Sequence, residues 1–323
     1  MHRTKPINAE VIIVGGGLAG LSAAIYLGRA RYDTLLIDGG KSMARWEPNV
    51  QNYLGFPRGI DGQQLLRFGR QQARRYGVRF SRDCIVSGKA AAGHFKLRGN
   101  KSGYRCKRLL LATGIFHLPP QIPHVSTCIG HSIFFCKDCD GYRVRGKPIA
   151  IYGWSKEAAE YALGMLCYSS SVVLVTDGRK PSWDHQHDRW IRQHKIPVYR
   201  QSIVNVHRRS RQMEALEFKD SSRICVNALF TTRGDICLND LAKQLGAKLD
   251  SEGQIIVDID MRTTRRGLYA AGCVTPANCQ MIIAAGQGAT AAQTINRDLF
   301  EESLARHSLR RFHRPGLSRR KSG

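Results

Sequence analysis

Acidic residues are scarce in this chain of 323 residues: 25 aspartates and glutamates stand against 50 lysines and arginines, which gives a formal net charge of +25. Such a charge attracts acidic proteins, nucleic acids or anionic lipid, and it affects encounter rates more than the fold. The sequence lacks RNA-binding and helix-turn-helix signatures, so we do not expect nucleic-acid binding. A generally basic proteome explains the charge about as well as an acidic partner does.

A secreted disulfide framework is also lacking, because the ten cysteines are scattered through a long chain. Cys136 and Cys139 alone have the tight spacing that suits redox or metal chemistry. No second pair of cysteines or histidines at zinc spacing accompanies them, so we predict no metal site. The other cysteines are interpreted as small buried hydrophobic residues.

An uncharged stretch, residues 11–28, follows a basic start, as a signal peptide or a membrane anchor would. Five of its residues are glycines in a nucleotide-binding register. We therefore predict a strand, a turn and a helix inside a soluble domain. A cytoplasmic protein with no membrane partner is expected.

The length of the chain favours two domains, and two βαβ patterns are visible. In the first, strand 10–14 leads to helix 18–30 and strand 34–38. In the second, strand 148–152 leads to helix 156–166 and a strand at 171–176. A boundary is predicted after strand 108–112, where three prolines follow closely. Both patterns are typical of an α/β protein.

The first βαβ pattern carries Gly15, Gly17 and Gly20 between its strand and its helix, and Asp38 ends the next strand. Gly15 permits the tight turn, Gly17 lets the backbone approach a pyrophosphate, and Gly20 allows close helix packing. The helix N-terminus offers free N–H groups to the phosphates, and Asp38 can accept hydrogen bonds from ribose hydroxyls. Because all the parts occur at the expected intervals, this pattern strongly indicates a dinucleotide site.

Cys136 and Cys139 are followed directly by Asp140 and Gly141. Two thiols at this spacing can close a small disulfide, and thiolate attack on a partner disulfide requires a lowered thiol pKa. A neighbouring carboxylate does not lower a thiol pKa by its charge, so we interpret Asp140 as a proton shuttle. The alternative is a pair of structural cysteines near a turn.

At this point the chain resembles the low-molecular-weight thioredoxin reductases, over about residues 8–302. The matching segments are 15–20, 52–57, 112–114, 136–141 and 270–272, together with the small-residue helix that follows Gln280. The resemblance implies an α/β fold of two Rossmann-like dinucleotide-binding domains, the second inserted into the first. It implies an FAD-binding domain (1–119 and 238–303), an NAD(P)H-like domain that carries the dithiol (120–237), a homodimer, and a rotation between the domains during turnover.

The resemblance also implies roles for single residues. Cys139 is expected to face the flavin, Cys136 to attack the disulfide of a partner, and Asp140 to act as the acid–base residue. Asn52 is expected near the isoalloxazine, and the helix that starts at Met281 is expected to point its N–H groups at the flavin. The predicted FAD-binding residues are Gly15, Gly17, Gly20, Asp38, Asn52, Thr113, Gly114, Gly272, Cys273, Gln280 and Met281.

The second nucleotide site departs from the family pattern. Its turn reads Gly153-Trp154-Ser155, followed by Ala158, so a serine replaces the glycine of close approach. Asp177 lies where the family has arginines that hold the 2′-phosphate of NADPH, and a carboxylate there would repel that phosphate. These changes argue against NADPH. NADH, a second FAD or no dinucleotide are the remaining options.

A second departure is Cys273, where the family has an aspartate that contacts the ribityl chain of the flavin. Cys279 lies six residues further on. We interpret the two as packed cysteines and rank a second redox pair well below that. The residues at 304–323 are basic and poor in apolar side chains, so a disordered tail is predicted.

An intact flavin site and dithiol beside a degenerate NADPH site resemble the ferredoxin-linked and diflavin-linked disulfide oxidoreductases and the dithiol oxidases. The leading hypothesis is therefore an FAD-dependent disulfide oxidoreductase with a donor other than NADPH. Its partner would be a thioredoxin-like protein or a small disulfide, with the acidic protein ferredoxin as one candidate donor. The alternatives are an ordinary NADPH-dependent thioredoxin reductase and a flavin-bearing redox sensor without turnover.

Overall fold

A computed structural model of the chain describes residues 5–310. Within that range the strands are β1 (Ile7–Val14), β2 (Thr34–Ile37), β3 (Arg79–Ser81), β4 (Ile85–Ala91), β5 (His94–Gly99), β6 (Gly103–Leu111), β7 (Ile115–His117), β8 (Ile133–Phe134), β9 (Ile149–Tyr152), β10 (Val172–Val175), β11 (Val198–Tyr199), β12 (Ile203–Arg209), β13 (Gln212–Phe218), β14 (Arg223–Cys225), β15 (Ala228–Thr231), β16 (Asp235–Cys237) and β17 (Leu268–Ala270). The helices are α1 (Leu18–Arg29), α2 (Gly62–Arg75), α3 (Val125–Cys128), α4 (Lys137–Asp140), α5 (Lys156–Met165), α6 (His185–Gln193), α7 (Asp240–Gln244) and α8 (Met281–Ala305).

The first sheet has seven strands, in the order β3-β2-β1-β6-β5-β4, with β17 paired to β6. Strand β1 runs parallel to both β2 and β6, and its last four residues are buried on both faces. Helices α1 and α8 pack together over one face, where Leu21, Leu27 and Ile295 belong to a single apolar core. Strands with near-continuous apolar runs are expected where a parallel sheet is covered on both faces.

The second sheet has five parallel strands in the order β11-β10-β9-β15-β8. Helix α5 packs on it through Ala158, Ala159 and Ala162, which are fully buried. Strands β12, β13 and β14 form a separate antiparallel sheet beside it. The first sheet is mixed and the second is parallel, and each contains a parallel βαβ unit, which confirms the predicted α/β class with two Rossmann-like domains.

The chain crosses between the two large sheets through a two-stranded antiparallel ribbon of β7 and β16. The Nδ1 atom of His117 lies 2.5 Å from Oδ1 of Asp235 across this ribbon. The boundaries predicted at 119/120 and 237/238 fall at its ends. The two crossings are therefore adjacent in space, as an insertion of one domain into another requires.

The structure differs from the sequence prediction at the C-terminal end of the described chain. Helix α8 continues to Ala305, past the predicted end of the folded region at residue 303. The guanidinium of Arg310 pairs with Glu10 and donates to the carbonyl of Arg31 over 2.7 Å. Residues 304–310 thus include the end of α8 and an arginine that contacts β1, and the rest of the predicted tail lies outside the described residues.

No helix between residues 5 and 310 is both long enough and apolar enough to cross a membrane.

Candidate active site

A cavity of about 420 Å³ opens where the glycine turn after β1, the segment around the CxxC pair and the start of α8 come together. Nearly all residues predicted to bind FAD border it, together with all three predicted catalytic residues. The bordering predicted residues are Gly15, Gly17, Asp38, Asn52, Thr113, Gly114, Cys136, Cys139, Asp140, Gly272, Cys273, Gln280 and Met281. Segments far apart in the sequence therefore share one cleft.

The three glycines of the first turn have different surroundings. Gly15 has a φ of +117°, and a Cβ atom there would lie 2.0 Å from the carbonyl oxygen of Ala112. A Cβ atom on Gly20 would lie 1.9 Å from the carbonyl oxygen of Gly15, so this glycine brings α1 close to β1. A Cβ atom on Gly17 would meet nothing closer than Ser42 Oγ at 3.5 Å, and Gly17 borders the cavity. Gly17 is thus the position at which a ligand can approach the backbone.

Two long helices begin at this cavity. Helix α1 follows Gly17 and α8 follows Gln280, and neither of these N-cap residues makes a side-chain capping bond. The first N–H groups of a helix have no partner within the helix, and they carry the positive end of its dipole. Both ends therefore favour a ligand that carries negative charge.

Asp38 borders the same cavity at the end of β2. Its Oδ1 accepts the backbone N–H of Gly40 over 2.8 Å, and its Oδ2 pairs with the guanidinium of Arg70 on α2. The carboxylate is thereby held at the cavity wall, where the predicted contact with ribose hydroxyls would occur.

Cys136 and Cys139 are joined as a disulfide at the start of α4, with their Cα atoms 5.3 Å apart. The Sγ atom of Cys136 accepts the backbone N–H of Cys139 over 3.1 Å. The Nε2 atom of Gln280 lies 3.5 Å from both sulfur atoms, and Nδ2 of Asn52 donates to Oε1 of Gln280 over 3.0 Å. The side-chain amides of Asn52 and Gln280, two residues predicted to bind the cofactor, are thus linked to each other and to the disulfide.

Asp140 is 2% exposed by its side chain, and its Oδ1 accepts a hydrogen bond of 2.5 Å from Arg143. Its Oδ2 is buried without a hydrogen-bond partner in the described residues. Burial raises the pKa of Asp140, although Arg143 opposes that shift. A buried carboxyl beside a dithiol that holds its proton to higher pH than usual is suited to proton transfer.

Glu47 also approaches this group, with Oε2 at 3.9 Å from Nη1 of Arg143. Burial and the neighbouring Asp140 raise the pKa of Glu47 from 4.5 to about 8, against the effect of Arg143. Two carboxyl groups therefore share one guanidinium. Sequence reasoning missed both partners: Arg143, three residues after Asp140, was within reach of a spacing argument, whereas nothing in the sequence marks Glu47.

Thr113, Gly114 and Gly272 lie at the carboxyl ends of β6 and β17. The Thr113 hydroxyl donates to the carbonyl of Leu238 over 2.7 Å, next to the ribbon that joins the two large sheets. The backbone N–H of Gly272 donates to Oε1 of Gln287 on α8 over 2.8 Å. These bonds fix the part of the cavity wall that lies next to the glycine turn, where Gly15 approaches Ala112 and Gly272 approaches Ala19.

The interpretation of Cys273 and Cys279 as two packed cysteines is wrong, because the two are joined by a disulfide bond. Cys273 is partly buried, Cys279 is exposed, and both border the cavity. The six other cysteines are free, and the prediction that they are buried holds for Cys106 and Cys128 but not for the exposed Cys167 and Cys225.

The second nucleotide turn, between β9 and α5, has the backbone shape of a nucleotide-binding turn but lacks the side chains that the family has there. A Cβ atom on Gly153 would lie 2.1 Å from Thr232 Oγ1 and 2.8 Å from the Cβ of Ala158, so strand and helix pack tightly here. Ser155 is the N-cap of α5 and makes no side-chain capping bond. The turn therefore retains an open helix N-terminus.

Asp177 follows β10 in the left-handed region, with φ at 51°. Its Oδ2 accepts the hydroxyl of Tyr152 over 2.7 Å, and its Oδ1 accepts the backbone N–H of Ile203 over 2.8 Å. The guanidinium of Arg179 lies 4.3 Å from the ring centroid of Trp154. Both oxygens of the Asp177 carboxylate are thus bonded within the protein, and Arg179, two residues further on, stacks on the tryptophan of the turn.

Residues 5–310 contain no cluster of three or more histidine, cysteine or acidic side chains that could hold a metal ion.

Comparison with known proteins places this arrangement in a family. A family model described as pyridine nucleotide-disulphide oxidoreductase matches residues 9–292. Thioredoxin reductase of Streptomyces coelicolor is 31% identical over 298 residues, which cover 88% of this chain and 91% of that protein. Thioredoxin reductase of Streptomyces clavuligerus is 30% identical over 305 residues, which cover 90% and 94%. A crystal structure of a putative thioredoxin reductase from Bacillus anthracis aligns with a TM-score of 0.84 at 28% identity, covering 91% of this chain and 99% of that one. The chain belongs to the pyridine nucleotide-disulphide oxidoreductase family.

Proposed function

We propose that this enzyme is an FAD-dependent disulfide oxidoreductase of the thioredoxin-reductase type. It moves electrons between bound FAD and the Cys136–Cys139 pair, and from there to the disulfide of a partner. The observation that carries this proposal is the position of the Cys136–Cys139 disulfide. It borders the same cavity as the glycine turn and contacts Gln280 directly before α8.

The residues around the cavity fit FAD. The open N-terminus of α1 and the exposed backbone at Gly17 suit a pyrophosphate, and Asp38 offers an acceptor for ribose hydroxyls. The open N-terminus of α8 would stabilise negative charge on the reduced ring system. When bound, FAD supplies a store for two electrons that can be exchanged with a disulfide.

Each side chain around the disulfide then has its own role in the thiol chemistry. Cys139 is the thiol next to the cofactor and Cys136 attacks the partner disulfide, as the family resemblance implies. Asp140 holds the proton that a leaving thiolate takes up, because burial keeps its carboxyl protonated above the usual range. Asn52 and Gln280 orient the disulfide through the amide chain between them.

The partner we propose is a thioredoxin-like protein or a small disulfide. Several relatives are named thioredoxin reductases, and they match this chain over nearly its whole length. The net charge of +25 favours an acidic protein partner. A homodimer and a cytoplasmic location stay predictions.

The electron donor we propose is not NADPH. Asp177 keeps its carboxylate where a 2′-phosphate would bind, held there by Tyr152 and the backbone of Ile203. Arg179 is turned onto Trp154. NADH, ferredoxin and a second FAD on the α5 turn are the remaining donors or ligands, of which the basic charge favours the acidic ferredoxin.

The test is an anaerobic comparison of reductants on pure enzyme, with flavin absorbance as the readout. We expect dithionite and reduced ferredoxin to bleach the flavin completely, and micromolar NADPH to leave it unchanged. Extraction of bound nucleotides gives the number of flavins per chain, one or two. Complete bleaching by micromolar NADPH would instead identify an ordinary NADPH-dependent thioredoxin reductase.

A flavin-bearing redox sensor is the other functional class. It would contain flavin, yet its dithionite-reduced form would not reduce thioredoxin or a small disulfide. The intact Cys136, Cys139 and Asp140 in one cleft favour turnover over sensing.

A further inference from the structure

We propose that Cys273 and Cys279 form a second redox-active pair, which exchanges electrons with the Cys136–Cys139 pair inside the flavin cleft. This inference rests on the proposed function, because the first pair must be reduced before it can pass electrons on. It adds a second active disulfide at the same cleft, directly before α8.

The position of the second disulfide supports this role. Cys273 directly follows Gly272 at the carboxyl end of β17, and Cys279 directly precedes Gln280 at the start of α8. Both cysteines border the cavity that also contains Cys136 and Cys139. Because Cys273 is partly buried and Cys279 is exposed, the bond reaches from the cleft to the protein surface.

Gln280 relates the two pairs. It is the residue after Cys279, and its Nε2 lies 3.5 Å from the sulfur atoms of both Cys136 and Cys139. The segment that carries the second disulfide is therefore in direct contact with the first. A change in the redox state of the first pair would therefore change the surroundings of the Gln280 amide, next to the second pair.

The loop between the two cysteines does not depend on the disulfide for its anchoring. The carbonyl of Gly272 accepts both the backbone N–H of Thr275, at 2.9 Å, and its hydroxyl, at 2.8 Å. Gln287 on α8 accepts the N–H of Gly272. A bond that closes so short a loop also adds less to stability than one that closes a long loop. The disulfide can therefore open without unfolding this segment.

The free cysteines are in a different situation. Burial raises the pKa of the Cys106 thiol to about 12, which keeps that thiol protonated and unreactive. Cys167 and Cys225 are exposed but unpaired, and neither borders the cavity. They serve as matched controls, since they are cysteines of this chain that lie outside the proposed exchange.

The exchange balances in atoms and electrons. The Cys139 thiolate attacks Sγ of Cys279, which forms a Cys139–Cys279 bond, breaks the Cys273–Cys279 bond and releases Cys273 as a thiolate. The Cys136 thiolate then attacks Sγ of Cys139, which restores the first disulfide and releases Cys279. Two electrons pass from the first pair to the second, and two protons are taken up by Cys273 and Cys279 from the thiols of the first pair. The enzyme would thus hold one electron pair on the flavin and one on each disulfide.

The experiment counts thiols after the bound flavin of the holoenzyme has been reduced anaerobically by light and EDTA. The protein is quenched with N-ethylmaleimide in denaturant, and its peptides are analysed by mass spectrometry. Of the ten cysteines, six are free before reduction. We expect all ten to be labelled afterwards, and the Cys167→Ser/Cys225→Ser control to acquire label at Cys273 and Cys279 as the wild type does.

Two results would overturn the inference. If reduction labels Cys136 and Cys139 while Cys273 and Cys279 stay oxidised, the second bond is structural. If Cys273 and Cys279 acquire label in a Cys136→Ser/Cys139→Ser variant as fast as in the wild type, the exchange does not pass through the first pair. Absence of flavin, or a first pair that stays oxidised, would instead contradict the proposed function, so the two failures are distinguishable.

Discussion

Gly17 and Gly20 lie three residues apart at the same turn, but a methyl group added at each position meets different surroundings. At Gly20 the new carbon would lie 1.9 Å from the carbonyl oxygen of Gly15 and would push α1 away from β1. At Gly17 it would extend into the cavity. We therefore expect Gly17 to be needed for the ligand and Gly20 for the fold.

Alanine substitutions separate these two roles. We expect Gly20→Ala to lower the free energy of unfolding by about 1–3 kcal/mol, as overpacking does. We expect Gly17→Ala to fold with unchanged stability of the flavin-free protein but to retain much less FAD. Urea unfolding and the ratio of flavin to protein absorbance check the pair. A Gly17→Ala protein with a full complement of FAD would contradict the assignment of the turn to the cofactor.

Glu47 gives the fold a dependence on pH. Its pKa rises from 4.5 to about 8 in the folded state, because the side chain is buried near Asp140. A carboxyl group whose pKa is higher in the folded state binds its proton more tightly there. Its stabilising contribution is therefore complete below about pH 4.5 and is lost as the pH rises towards about 8.

Glu47→Gln removes this titration. As the pH rises from about 4.5 to about 8, we expect the free energy of unfolding to fall in both proteins. The fall should be about 1–3 kcal/mol smaller in the variant than in the wild type. The measurement is the urea midpoint across the pH range, with Glu214→Gln, a change at an exposed glutamate, as the control. Parallel pH curves for wild type and Glu47→Gln would show that Glu47 stays ionised in the fold.

At the scale of elements, Asp177 ties the loop after β10 to both β9 and β12. Its two carboxylate oxygens accept the hydroxyl of Tyr152 and the N–H of Ile203. The side chain that we propose disfavours NADPH is thus also a structural link between the second sheet and the antiparallel sheet beside it.

We expect Asp177→Ala to lower the free energy of unfolding by about 1–3 kcal/mol, because it leaves the Tyr152 hydroxyl without its acceptor. The same variant should still show no flavin bleaching by NADPH, since Arg179 remains stacked on Trp154. Asp188→Ala is the control and should cost less than about 1 kcal/mol, because it breaks a surface ion pair. Equal losses in the two variants would contradict the structural role of Asp177.

The elements themselves were largely predictable. The start of α1 at Leu18 matches the prediction, and the β1 and α5 boundaries lie within a few residues of it. Strands β12, β13 and β14 were not predicted. Only one face of the small sheet that they form is buried, so apolar residues alternate only weakly along these strands. The pairing of Arg310 with Glu10 was not predictable either, because it joins residues 300 positions apart.

The site was predictable where local spacing determines it, as at the glycine turn and the CxxC pair. It was not predictable where distant segments meet. The bond between Cys273 and Cys279 depends on how the loop folds back before α8, and the approach of Glu47 to Arg143 depends on the packing of the two sheets. Neither leaves a periodic signal in the sequence.

For the whole molecule, the net charge of +25 predicts a strong effect of salt on encounters with acidic partners. Raising the salt concentration from about 0.01 M to about 0.15 M shortens the Debye length from about 30 Å to about 8 Å. We expect kcat/KM for an acidic thioredoxin to fall by about tenfold or more over this range. With oxidised dithiothreitol, a neutral substrate, it should stay nearly constant. An equal response of both substrates would show that the charge does not steer the protein partner.

The central claim is that electrons leave the flavin through Cys136 and Cys139. The most direct measurement mixes anaerobically reduced enzyme with an excess of oxidised thioredoxin and follows the return of flavin absorbance in a single turnover. The wild type is predicted to reoxidise fully, whereas Cys139→Ser, with the same flavin content, should stay reduced. Reoxidation of the Cys139→Ser variant at the wild-type rate would contradict the account.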